Sequence, residues 1–218
     1  MIDFSLNGAR LTALPSGALW WGAQRLLCVS DLHLGKSERM ARRTGALLPP
    51  YEVAETLSKL EADVAAHKPA KVVCLGDSFD DLAAGYGLDE RARLRLTVLQ
   101  AGREWVWIDG NHDAGPLDLG GVHLVDLALN GLVFRHIADP NLAADCGEIS
   151  GHYHPKVRLA GQGLAAFLMG ASRLIMPAYG AFTGGMMADR APLPELMGPR
   201  ARALALRAGR VLEMPLKG

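Results

Sequence analysis

No excess of either charge runs through this chain: 23 Lys and Arg stand against 23 Asp and Glu in 218 residues. The balance excludes a global field that would draw the protein onto nucleic acid or an acidic membrane surface, so a polyanionic substrate must be caught by a local patch or by metal. Cysteine is scarce as well. Cys28, Cys74 and Cys146 are odd in number and never in CxxC spacing, which argues against a disulfide framework and against a structural zinc site. Cys28 and Cys74 lie in apolar runs and are expected to be buried. No apolar stretch reaches membrane-spanning length, and the opening MIDFSLNGAR lacks the basic-then-apolar order of a secretion signal. The expected location is a reducing cytoplasm, with no membrane partner. What is present is a mildly apolar chain, long enough for one large core, and a single domain over residues 1–218 is expected.

Short strands are predicted at FSL, ARLTAL, ALWW and RLLCVS, with a turn at Pro15-Ser16-Gly17. After Pro49-Pro50, Val53, Leu57, Leu60 and Val64 recur at helical spacing through YEVAETLSKLEADVAAHK, and KVVCL follows as a buried strand. The order repeats: LDERARLRLTVLQAG reads as a helix ending at Gly102, and EWVWI as the next strand. This alternation implies a parallel sheet with helices outside it. Beyond residue 120 the texture changes to short strands and tight turns. VHLVDLAL, Asn130-Gly131 and LVFRH read as a hairpin, and further strands are expected near 147–151, 156–160, 164–169, 173–176 and the C-terminus. The expectation is an α/β protein with two sheets face to face and helices outside.

Histidine is rare too, seven in all, yet five of the seven follow predicted strands. CVS is followed by Asp31-Leu32-His33, VVCL by Gly76-Asp77-Ser78-Phe79-Asp80, VWI by Asp109-Gly110-Asn111-His112-Asp113, LVFR by His136, and EIS by Gly151-His152-Tyr153-His154. Each fragment alone is also an ordinary polar turn. Together they place metal-ligand and acid-base residue types at strand ends, where loops of an open α/β sheet converge on ligands. If GHYH is extended, His152 and His154 face the same way. His67 and His123 fall outside these elements and read as ordinary surface or partly buried residues.

The ordered set DLH, GDSFD, GNHD, a single His after a strand, and GHYH resembles the calcineurin-like metallophosphoesterase superfamily over residues 31–154. CVSDLHLGKSERMARRTGALLPPYE, CLGDSFDD and MPAYGAFTGG further resemble the bacterial ligase-associated DNA damage response phosphoesterases. The resemblance implies a four-layer αββα sandwich with two mixed β-sheets and a dinuclear centre. In it Asp31, His33, Asp77 and His154 hold one metal; Asp77, Asn111, His136 and His152 hold the other. Oxygen and imidazole donors suit Mn²⁺, Fe or Zn²⁺, and the resemblance tips the choice to manganese. Where many such relatives carry His at position 80, this chain has Asp80 followed by Asp81, and position 80 is assigned no role beyond structure.

That ligand set leaves His112 free to face a leaving oxygen as acid or charge stabiliser, with Asp113 expected to fix its ring. Lys36, Arg39, Arg42 and Arg43 either grip flanking phosphates or form a solvated helix face. AYGAFTGG suits a loop at the site mouth or a tight inter-strand turn. The implied activity is metal-dependent phosphodiester hydrolysis, as a nuclease on DNA in repair, in functional association with a DNA ligase and a repair helicase or exonuclease. Homodimerisation stays open. A nucleotide or sugar-nucleotide pyrophosphatase of the UDP-diacylglucosamine hydrolase type, and a non-catalytic scaffold, are the competing readings.

Overall fold

The runs LLCV, KVVCL and EWVWI are apolar at nearly every position, as suits strands covered on both faces. In the computed structural model, which describes residues 1–45, 51–113, 115, 118–143 and 145–216, they form β4 (Leu26–Val29), β5 (Lys71–Leu75) and β6 (Glu104–Ile108), paired in parallel. An antiparallel meander of β1 (Ile2–Leu6), β2 (Ala9–Ala13) and β3 (Leu19–Trp21) joins one side, and β7 (Val122–Leu124) the other. The order is β1-β2-β3-β4-β5-β6-β7.

The second sheet contains β8 (Asp126–Leu129), β9 (Leu132–Arg135), β10 (Gly147–Ser150), β11 (Lys156–Leu159), β12 (Gln162–Met169), β13 (Arg173–Ile175), β14 (Arg202–Arg207) and β15 (Arg210–Pro215). Its order is β15-β14-β12-β13-β10-β9-β8, with β11 paired to β12. β9, β10 and β13 run parallel and the remaining pairs antiparallel, so both sheets are mixed. Between the sheets, Cys28, Val73, Leu75 and Ile108 meet Phe134, Ile149, Phe167 and Leu174 in one apolar core.

Alternate residues of the same parallel strands face outward. Val72, Cys74 and Trp105 are covered by Leu57, Leu60 and Val64 of α2 (Glu52–His67) and by Leu96 and Leu99 of α4 (Glu90–Gln100). The helical spacing read in the sequence thus marks the buried stripe of α2. The Pro49-Pro50 break expected before it lies outside the described residues. Asp89 caps α4 by accepting from the Ala92 amide at 2.7 Å. Two further helices, α1 (Lys36–Thr44) and α3 (Leu82–Tyr86), lie at the loop end of this sheet. Over the second sheet the outer layer is thin: α5 (Leu193–Met197) supplies Leu193 and Met197 against Leu168, Ile175, Ala203 and Ala205. Among the described residues no helix is long and apolar enough to cross a membrane.

One expected strand is two. VHLVDLAL breaks at Val125, which is 74% exposed; β7 pairs with β6 while β8 pairs with β9 in the other sheet. Alternation records which residues are half-buried, not which neighbour supplies the hydrogen bonds, so a crossing between sheets leaves no mark in the pattern. The Asn130-Gly131 turn forms as expected, with φ of 47° and 80° at its two residues.

Candidate metal centre

Parallel strands β4, β5 and β6 end side by side, and β9 and β10 end opposite them, so their five following loops meet at one edge of the sandwich. The loops are laced together by backbone bonds: His33 N donates to Asp77 O at 2.9 Å, and Gly151 N to His136 O at 2.9 Å. The sheets are tied across the site by the His152 amide, which donates to Asp31 Oδ2 at 3.0 Å. Five of the expected ligands, Asp31, His33, Asp77, His152 and His154, have positive φ between 43° and 70°. For non-glycine residues that costs on the order of 1–2 kcal/mol each. Such strain persists only where the surrounding fold imposes it, and here it coincides with the candidate ligands. Gly110 is required for a different reason: a Cβ there would overlap the Asp77 amide nitrogen.

The side chains gather into two groups whose ligand atoms lie within 4.8 Å of one another, Asp31 with His33 and His154, and Asp77 with His136 and His152. In the first, His33 Nε2 is 3.3 Å from His154 Nε2, which is 3.2 Å from Asp31 Oδ1. In the second, His136 Nε2 is 3.3 Å from His152 Nδ1 and 2.9 Å from Asn111 Oδ1. Asp77 Oδ2 lies between them, 4.0 Å from His33 Nε2 and 3.5 Å from His136 Nε2. Its other oxygen accepts from the His112 amide at 2.9 Å, which leaves Oδ2 as the atom facing both groups.

GHYH is not extended. β10 stops at Ser150, and left-handed backbone at His152 and His154 with a Tyr153 N to Gly151 O bond of 2.8 Å makes a tight bend. The two imidazoles reach different groups through that kink and not through strand alternation. His67 and His123 lie apart from both groups, against Trp20 and Trp107.

Burial raises a carboxyl pKa and lowers that of an imidazole. Against burial, His136, the His112 amide and His33 hold Asp77 well below the usual carboxylate range. Asp31 is lowered against burial by His154, His136 and the Ser30 hydroxyl. His136 is pushed up to about 9, since Asp77 and Asp31 outweigh the opposing effect of burial. In the metal-free protein His136 is therefore protonated below that pH, and a divalent ion binding there must displace the proton. Loading at pH 8 is expected to release about one proton from this residue, with affinity falling as pH drops. Titration calorimetry in two buffers of unlike ionisation enthalpy checks this; equal heats in the two buffers would contradict it.

His112 is 30% exposed, with Nε2 3.9 Å from Asp77 Oδ2. Its Nδ1 lies 2.9 Å from the Asp80 carbonyl oxygen, an acceptor only, so Nδ1 carries a proton and Nε2 is the nitrogen on the Asp77 side. Asp113 does not fix this ring. Its carboxylate accepts from the Phe79 amide at 3.0 Å and the Gly110 amide at 3.2 Å, pinning two loops to each other. Asp113→Ala is expected to destabilise the fold by about 2–4 kcal/mol through the two orphaned amides. Denaturant unfolding checks this, and a variant of full stability that loses only turnover would restore the sequence-based role.

Asp80, set aside in the sequence, holds more of the site than expected. It is 1% exposed, with Oδ1 2.9 Å from His33 Nδ1 and Oδ2 2.7 Å from the Arg39 guanidinium. His33 Nε2 is thereby left to face Asp31 and Asp77. His33, Asp80 and His112 also form a third close group, but Arg39 already supplies it a cation. Ser30, likewise missed, donates its hydroxyl to Asp31 Oδ2. Nothing in DLH or GDSFD alone marks these partners; only Ser30, next to a ligand, carried a positional hint.

In the basic segment the arginines pair with carboxylates of the chain itself, which favours the helix-face reading over the phosphate grip. Arg39 is engaged by Asp80, Arg42 by Glu38 and Asp81 at 2.7 and 2.9 Å, and Arg43 lies 3.7 Å from Asp81. Lys36 has no ion-pair partner among the described residues. AYGAFTGG is not a hairpin turn, and its far end reaches the site, Gly185 lining the cleft beside His152 and His154. Gly180 N donates to Asp31 O at 3.1 Å, and the Tyr179 ring is buried under Lys59 with its hydroxyl bonded to Asp63. The segment braces the Asp31 loop from behind.

The calcineurin-like phosphoesterase family model matches residues 24–161. The crystal structure of Pseudomonas putida nuclease MPE is similar at a TM-score of 0.79 and 24% identity, over 98% of this chain and 99% of that one. YfcE, a phosphoesterase from E. coli, gives a TM-score of 0.45 at 15% identity, over 88% of this chain and 99% of its own. No curated protein sequence matches the chain. With the family model spanning every loop of the centre, the chain belongs to the calcineurin-like phosphoesterase family and is a metal-dependent phosphoesterase.

Proposed function

We propose that this phosphoesterase is a phosphodiesterase that cleaves DNA strands, working with two divalent ions, most simply manganese, held by Asp31, His33, Asp77 and His154 and by Asp77, Asn111, His136 and His152. The observation that carries the reading is the pairing of two donor groups around a single oxygen, Asp77 Oδ2. The donor chemistry fits: ring nitrogens face each other at 3.3 Å in both groups beside carboxylates, and no thiolate takes part. When bound, two divalent ions supply Lewis-acid polarisation of the phosphoryl oxygens and a water acidic enough to attack near neutral pH.

The chain's own residues do the rest. Asp80 and Leu75 O fix the far nitrogens of His33 and His136, so the near nitrogens need no reorganisation. His112 Nε2 lies on the Asp77 side, 3.9 Å from Oδ2, where as general acid it donates a proton to a departing oxygen. The nuclease reading draws on the Pseudomonas putida protein, described as a nuclease, which matches this chain end to end. Work in the cytoplasm beside a DNA ligase and a repair helicase or exonuclease is part of the same proposal.

The test is hydrolysis of bis(p-nitrophenyl) phosphate with Mn²⁺, alongside single-stranded DNA, a nucleotide sugar and a nucleoside monophosphate. Cleavage of the diester and of DNA is expected. Hydrolysis of the nucleotide sugar alone would move the assignment to a pyrophosphatase, and inertness of the metal-loaded protein toward every substrate would overturn it.

A further inference from the structure

Beside His152 and His154 opens a cleft of about 620 Å³ whose far wall is Met186, Met187 and Arg190. Met187 also lines an adjoining cleft of about 450 Å³, along with Lys156, Arg158 and Asp189. The two clefts share Met187, the first against the metal ligands His152 and His154 and the second beyond it. Among the described residues, Lys156, Arg158 and Arg190 have no ion-pair partner, and Asp189 lines the second cleft with Lys156 and Arg158.

Arginines elsewhere around the centre are neutralised. Arg39 is held by Asp80, Arg135 by Asp126 and Asp139, and Arg173 by Glu148. The cleft on the opposite side, about 310 Å³ beside Asn111 and His136, is lined by Asp109 and Asp126, with Arg135 already paired. Phosphates are therefore disfavoured on that side and favoured on the Arg190 side.

The Arg190 side is also held in place. Lys156 N donates to Met186 O, and Ala188 N to Lys156 O, both at 2.8 Å, which clips residues 186–188 to β11. Arg190 N then closes a turn onto Met187 O at 3.0 Å. Its guanidinium is thus carried on a braced turn, and Met186 and Met187 add apolar surface beside it against which bases can pack.

We infer that these two clefts are the binding track for a single nucleic-acid strand flanking the scissile phosphate, with Arg190 on the phosphate nearest the metal ligands and Lys156 and Arg158 on those beyond. The inference rests on the phosphodiesterase reading of the centre and extends it by assigning the residues that hold the strand and the means of recognition, its backbone charge. It also explains how a chain with no net charge holds a polyanion.

The experiment measures binding of a fluorescent phosphorothioate-linked twelve-nucleotide strand to metal-loaded protein by anisotropy over a range of salt. Arg190→Gln/Lys156→Gln/Arg158→Gln is compared with wild type and with Arg210→Gln, an exposed control on β15. Three lost phosphate contacts are expected to lower the slope of log affinity against log salt by about 2, since each contributes about 0.7 for single strands. Affinity at low salt should fall at least about tenfold, and kcat/KM on DNA should fall at least about tenfold further than on bis(p-nitrophenyl) phosphate. Wild-type slope and affinity in the triple variant, with its fold intact by circular dichroism, would overturn the track. Failure of the wild type to cleave any diester, with binding that still depends on the three residues, would leave the track standing and remove the phosphodiesterase reading instead.

Discussion

Asp77→Asn is expected to abolish measurable hydrolysis and to strip metal from both donor groups while the protein stays folded. The carboxylate is shared: Oδ2 faces His33 Nε2 on one side and His136 Nε2 on the other. Asparagine keeps an oxygen to accept from the His112 amide, so the loop is retained, but the replacement removes the negative charge and can turn an NH₂ group toward the histidines. Loss of a partner that merely orients a ligand costs about 10–100-fold in metal affinity or activity. Removing the shared ligand is expected to exceed about 100-fold in both. Elemental analysis and turnover on the same preparation check this; a variant that keeps two ions and its activity would contradict the sharing.

His112→Ala is expected to keep both metals and lose about 10²–10⁴-fold in kcat on DNA, the range for a positioned general acid. Its ring belongs to neither donor group built around Asp31 or Asp77, and the backbone amide that holds Asp77 survives the substitution. The sharper reading comes from the leaving group. A sugar alkoxide needs a proton, whereas p-nitrophenolate departs without one, so the loss on bis(p-nitrophenyl) phosphate should be distinctly smaller. Equal losses on the two substrates would assign His112 to charge stabilisation and not to proton transfer.

What the chain discloses before folding follows from which forces act locally. The apolar runs of β4, β5 and β6 and the polar clusters that follow them are legible because burial on two faces and an abrupt switch to ligand-type polar residues at a strand end both leave marks in consecutive residues. So is the stripe of α2. The crossing at Val125 is not, because hydrogen-bond partners are chosen by the sheet as a whole. The left-handed kink at His152 and His154 is equally hidden: it goes with the His152 amide bonded to Asp31 Oδ2, a partner 121 positions away. Asp80 and Arg39 had opposite fates for one reason. The two are each other's partners across 41 positions and meet only because the loops of β4 and β5 are laced together. Asp113 stands next to His112 in sequence, which suggests a partnership, yet its carboxylate binds amides of two loops.

The claim on which the rest depends is that one oxygen of Asp77 separates two metal positions. It is tested most directly by an anomalous difference map from manganese-loaded crystals of the wild-type protein. The account predicts two peaks, one among Asp31, His33, Asp77 and His154 and one among Asp77, Asn111, His136 and His152. A single peak, or density placed instead among His33, Asp80 and His112, would contradict it.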